Sequence, residues 1–154
     1  IRTRLVGSEM CIRDSDGSGK NRKMFKLDQP QIDDDIRPTL IGFTLNSGGD
    51  CTASFFRRGK DRCYKVLEKS PEAKDAFAKL GDEWELSDTV FEGLEDFTAK
   101  LYSTVAPINE ARYKLFKRKL DSNQKAIDLS ILPPCQAVLR RKSERANYIA
   151  AIWK

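Results

Sequence analysis

Five apolar residues, Leu86, Val90, Leu94, Phe97 and Leu101, recur at intervals of four, four, three and four. That is the period of one buried helix face, and Ser87 or Asp88 stands where a cap belongs. The punctuation on either side repeats the message. Ser70-Pro71 offers an N-cap followed by proline at the first helical position, and Gly81 falls where a C-terminal glycine ends a helix. Ala73, Ala76, Phe77 and Leu80 make the inward stripe of that segment. Pro107 starts another helix, with Ile108, Ala111, Leu115 and Phe116 inward. Pro133-Pro134 starts the last, with Cys135, Leu139, Ala146, Ile149 and Trp153 inward. Lys60 to Glu68 completes the set, placing Cys63, Val66 and Leu67 on one face. The last helix runs into the chain end, which leaves truncation at the C-terminus open.

The first third is less regular. Residues 16–23 read as a polar turn, and Met24-Phe25-Lys26-Leu27 as a short strand. Gln29 to Arg37 is acidic and reads as a loop or a short helix ending before Pro38. Leu40 to Leu45 is a short apolar run that period alone assigns to neither strand nor helix. Residues 1–15, IRTRLVGSEMCIRDS, have no period. They resemble translated sequencing-adapter sequence and are set aside as a disordered scar. The expected organisation is therefore a scar at 1–15, a short α/β remnant at 16–50 and a helical domain at 51–154.

Several chemistries are excluded outright. The chain has no histidine, which removes histidine-based acid–base catalysis, histidine-containing zinc sites and hydrolase triads. Cys11, Cys51, Cys63 and Cys135 form no C-x-x-C pair and no disulfide spacing, so they read as reduced thiols inside a cell. No apolar run is long enough to span a membrane. A net charge of +5 hides a strong asymmetry: residues 72–96 carry −7, residues 57–65 carry +4 and residues 140–145 carry +3. Residues 112–119 add five more cations. The last two stretches read as solvated helix faces.

Residues 47–60, SGGDCTASFFRRGK, hold the candidate site. Two glycines precede a single carboxylate, Asp50. A basic turn then opens a helix with Arg57, Arg58, Gly59, Lys60 and, one residue later, Arg62. A carboxylate at a strand end can hold a metal ion, and a glycine turn at a helix N-terminus can hold a phosphate. The plainer readings are a turn aspartate after two glycines and an exposed basic helix start. Asp33-Asp34-Asp35 point in different directions and read as a solvated loop. Glu92, Glu95 and Asp96 read as a solvated helix side. Cys51 and Cys63 read as buried thiols, and Trp84 and Trp153 as core or edge anchors.

Residues 47–60, together with Leu132-Pro133-Pro134-Cys135 through Leu139 and Arg145-Ala146-Asn147-Tyr148 through Trp153, resemble ordered motifs of a family of animal proteins associated with transposable elements. Asn109 to Phe116 and Gly17 to Arg22 are similar to two further segments, so the resemblance covers 16–154. The family pattern in turn resembles nucleases of the PIN and flap-endonuclease type, in which clustered carboxylates hold two divalent metals and a glycine turn grips duplex phosphates. On that resemblance Asp50 aligns with one metal ligand, for Mg²⁺ or Mn²⁺ in the parent protein. Gly59 and Lys60 align with the turn. The first turn glycine is Arg57 here, the cysteine before the aspartate is Gly49, and a preceding histidine is Thr44. The family's other carboxylates lie in segments upstream of any present in this sequence.

The resemblance implies a mainly helical chain, the C-terminal part of an α/β nuclease-like domain with a short α/β remnant before it. One carboxylate does not build a two-metal site, so an inactive fragment without bound metal is expected. Weak nucleic-acid binding through the turn is expected to remain. The alternative is a non-catalytic helical module of a mobile-element protein that binds nucleic acid or another protein. The expected location is intracellular, with the nucleus open to it; oligomeric state is not implied.

Overall fold

The computed structural model describes residues 13–16, 23–26, 32–122 and 128–154. Among them are six α-helices: α1 (Leu40–Gly48), α2 (Lys60–Glu68), α3 (Pro71–Lys79), α4 (Asp88–Leu101), α5 (Ile108–Asp121) and α6 (Gln136–Trp153). Short 3-10 turns at Arg37–Thr39 and Leu129–Ile131 precede α1 and α6. The mainly helical expectation holds. No described helix is long and apolar enough to cross a membrane.

Within residues 1–33 the described part is an antiparallel pair, β1 (Arg13–Asp16) with β2 (Lys23–Lys26). β2 lies where the sequence expects a strand. β1 covers Arg13 to Ser15, the last three residues of the segment set aside as a scar. Residues 1–12 and the Gly17–Arg22 approach lie outside the described residues, as does Cys11.

Residues 34–154 form one compact helical unit. Its organising element is α3, which lies against α4, α1 and α2; α1 also packs on α6. Phe77 of α3 is fully buried and meets Phe43 of α1 and Phe97 of α4 edge-to-face, at 5.9 and 4.9 Å between centroids. Such pairs add about 0.5–1.5 kcal/mol each beyond the area they bury. The α4 stripe is inward at Val90, Leu94, Phe97 and Leu101, and Ser87 caps it by accepting the Val90 N–H at 3.3 Å. Ser70 sits at the N-cap of α3 as expected, but its hydroxyl donates to Glu72 rather than capping an N–H.

Several sequence-based expectations are settled or changed here. The Leu40–Leu45 run, left open between strand and helix, is helix: its buried residues include Gly42, Phe43, Leu45 and Asn46, at helical spacing. Polar Asn46 and Ser47 are buried and extend the element to nine residues, which an apolar run alone does not reveal. Residues 34–36 form a turn, in keeping with the loop reading of Gln29 to Arg37, and Pro38 is the second residue of the 3-10 helix at Arg37–Thr39. Trp84 and Trp153 are both more than half exposed and anchor no core, and Cys51 is exposed whereas Cys63 is fully buried. Since α1 packs on α3 and α6, residues 34–50 belong to the helical unit.

Candidate nucleic-acid interface

The chain leaves α1 through Gly48, whose φ of +120° suits glycine. A Cβ there would stand 2.7 Å from the Ser54 Cα. Gly49 then bridges Thr52. The Thr52 hydroxyl accepts the Gly49 N–H at 3.0 Å and donates to the Leu45 carbonyl, tying the turn back to α1. Asp50 and Cys51 form the exposed tip of that turn. Asp50 therefore follows a helix, not a strand end, and takes the geometry of a turn aspartate.

Phe55 turns the chain inward again and is buried. Its carbonyl accepts the Arg58 N–H at 3.0 Å, closing a turn whose third residue is Arg57. Arg57 has φ of +54°, the left-handed region. Glycine is favoured at that turn position. Here an arginine occupies it. Gly59 follows as the N-cap of α2 with extended backbone and no side-chain cap. Its carbonyl accepts the Arg62 and Cys63 N–H groups, both at 3.1 Å. The N–H groups of Lys60 and Asp61 belong to the unpaired first turn. Nothing lies within 4 Å of where a Gly59 Cβ would project, so the approach to them is open. A cleft of about 360 Å³ sits beside this turn, reaching from Ser47 and Gly48 to Arg57, Gly59 and Lys60.

The five basic-turn residues are not equivalent. Arg57 and Lys60 are exposed and make no ion pair among the described residues. Arg57 stacks over Phe56 at 5.2 Å, and is close enough to Asp128 to help hold that carboxylate low, after the Ser130 hydroxyl and N–H. Arg58 is half-buried, with its guanidinium 4.8 Å from the Tyr102 centroid and its Nε buried without a partner. Arg62 is exposed and donates to the Leu101 carbonyl at 3.4 Å. Gly59, Arg57 and Lys60 therefore face solvent together, while Arg58 fastens the turn to the end of α4. Asp61, in the first turn of α2, is the one carboxylate within the basic stretch.

Lys142 is the residue the sequence reading missed. Residues 140–145 were expected to be a solvated face, yet Lys142 is largely buried, its Nζ 3.2 Å from the Phe55 centroid. It donates to the Asn46 carbonyl at 2.5 Å and reaches Asn46 Oδ1 at 3.5 Å. Burial pushes its ammonium down to about 7, opposed by Cys63. Burial likewise raises the Cys63 thiol. The signal for Lys142 was present: with Leu139, Ser143, Ala146 and Ala150 it completes the helical spacing of the inward stripe. Arg140 fits the solvated reading better, pairing with Asp88 at 2.6 Å and Glu144 at 3.4 Å, although it also covers Phe91.

The other acidic candidates also resolve. Asp34 pairs with Arg37 three residues on, and Asp35 with Lys74 of α3, so these two aspartates of the run serve separate ion pairs. Glu95 is not simply solvated: one oxygen accepts the Ile108 N–H at 3.2 Å at the start of α5, the other the Gln136 amide at 3.0 Å. Asp96 pairs with Lys100 at 2.7 Å. Among the described residues no group of three or more His, Cys, Asp or Glu side chains is placed to hold a metal ion. No family model, curated protein or solved structure matches the chain.

Proposed function

We propose that this chain is a helical nucleic-acid-binding module that grips the phosphate backbone through the turn at residues 55–60. The observation that carries the reading is the left-handed φ of Arg57 beside an uncapped glycine N-cap. That combination presents two unpaired N–H groups and two exposed cations to one solvent-facing side. Backbone N–H groups and a helix N-terminus suit phosphate oxygens, and Lys60 and Arg57 add charge without reading sequence. Contacts of this kind are weak, salt-sensitive and indifferent to base identity.

The finer origin, a PIN or flap-endonuclease-like protein of a mobile element, is supported by the resemblance at residues 47–60 and by the turn conformation at Arg57. The Mg²⁺ or Mn²⁺ that this origin implies does not fit the residues described. Asp50 stands exposed on a turn tip, and no set of ligands gathers around it among the described residues.

The test is amide chemical-shift mapping with a short duplex DNA. Gly59, Lys60 and Asp61 are expected to show the largest saturable shifts, fading as salt is raised. Shifts centred on Lys117 and Arg118 of α5, with none at the turn, would remove the proposal.

A further inference from the structure

On α6, Asn147 is buried and spends all its side-chain hydrogen bonds on one loop. Its Oδ1 accepts the Gly81 N–H at 2.8 Å, and its Nδ2 donates to the Glu83 and Trp84 carbonyls at 2.8 and 3.1 Å. Gly81 itself has φ of +88° and is pressed so close to Ala150 that a Cβ would meet it at 2.6 Å. An irregular loop is thereby held in one conformation. What it presents is an indole: Trp84 is 68% exposed, 5.9 Å from the ring of Tyr148, itself 55% exposed. Ile152, one helical turn beyond Tyr148, continues the apolar face and is 57% exposed. Two large aromatic rings facing water, one of them on a loop fixed by a buried amide, are costly to leave exposed, and such surfaces mark contact sites.

The charge on the loop that carries Trp84 defines the occupant. Asp82 is satisfied by Lys154 at 2.6 Å and Asp88 by Arg140 at 2.6 Å, whereas Glu83 and Glu85 have no ion pair among the described residues. Beside the loop is a cleft of about 370 Å³, to which Asp82, Glu83 and Glu85 contribute, with Lys79 its one cation. We propose that this loop is a docking site for an arginine-bearing segment of a partner protein. A guanidinium would lie on the Trp84 or Tyr148 face while Glu83 and Glu85 accept its N–H groups. The site uses none of the basic-turn residues, so it stands or falls separately from phosphate binding.

The probe is the peptide acetyl-Gly-Arg-Gly-Arg-Gly-amide, titrated into the full chain while the Trp84 indole N–H is followed by NMR. A saturable shift is expected. Trp84→Ala, an exposed position, should weaken binding at least about three-fold by isothermal titration, the loss of a single surface cation–π contact. Glu83→Gln/Glu85→Gln should do the same with the tryptophan still reporting. Glu68→Gln/Glu92→Gln, two exposed acids elsewhere, should change affinity less than three-fold. No saturable shift, or a loss below three-fold in both the tryptophan and the loop-glutamate variants, would overturn the proposal, as would an equal loss in the control. Peptide-free self-association abolished by Trp84→Ala in sedimentation would also overturn it, since the occupant would then be a second copy.

Discussion

The Lys142 ammonium lies over the face of Phe55, 3.2 Å from the ring centroid, while donating to the carbonyl of Asn46. One side chain of α6 therefore braces both the end of α1 and the loop leading to the basic turn. The Asn46 amide adds a contact to Ser143 at 3.4 Å. The position of Arg57 and Gly59 thus depends on a lysine more than eighty residues away in sequence.

That lysine should make stability depend on pH in a definite direction. Its unfolded value is near 10.5 and burial lowers the folded value to about 7. Between those values the unfolded chain binds more protons, so stability rises as pH increases and the burial cost is fully present below 7. Lys142→Met should remove this component. Urea midpoints at pH 7 and pH 9 should show the wild type gaining roughly 1–2 kcal/mol relative to the variant. The Phe55 and Asn46 contacts favour the charged form and keep the gain below the full linkage value. The buried Cys63 thiol acts oppositely above its usual range, and the lysine charge partly lowers it, so the comparison stops at pH 9. A difference that shrinks or reverses with rising pH would show that Lys142 is not held in this environment.

Arg57→Gly should stabilise the fold while weakening phosphate binding. A non-glycine residue at positive φ costs about 1 kcal/mol, and glycine removes that strain at the expense of greater freedom in the unfolded chain. A gain of about 0.5 kcal/mol in urea unfolding is expected. Arg57→Ala keeps the strain and should show no gain. Destabilisation by the glycine variant would mean that stacking on Phe56 and the charge of Asp128 outweigh the backbone cost.

Asn147→Ala should be among the more damaging single changes. It leaves the buried Gly81 N–H without an acceptor and frees two loop carbonyls. A loss of about 2–4 kcal/mol is expected in denaturant melts, from the unsatisfied donor and the lost bonds together. A loss under 1 kcal/mol would show that water replaces the amide and that the loop is not held as described.

The helices from Lys60 onward were legible because each carried two independent marks, an apolar period and a proline, serine or glycine at its boundary. Leu40–Leu45 was not, since its burial is completed by Asn46 and Ser47, which no apolar count includes. The turn at Arg57 was half legible. The glycine–lysine pair marked it, but an arginine at positive φ has no sequence signature. Lys142 and Asn147 escaped because buried polar residues obey the same helical spacing as apolar ones while looking like surface. Trp84 failed for the opposite reason: an aromatic read as a core or edge anchor stands exposed on a loop that Asn147 of α6 holds.

The most direct test of phosphate gripping at residues 55–60 is the salt dependence of duplex DNA binding by fluorescence anisotropy. Arg57→Gln/Lys60→Gln removes two exposed cations of the turn, and Lys117→Gln/Arg118→Gln removes two exposed cations from α5, so net charge falls equally. Arg58 stays in place, because its buried Nε and its contact with Tyr102 make it part of the support. A turn that neutralises about two or three phosphates gives a log–log slope of roughly −2 to −3. The turn variant is expected to flatten that slope by about two units while the α5 variant leaves it within half a unit. Equal flattening by both would contradict the account, since attraction would then follow the overall charge of the chain and not the turn.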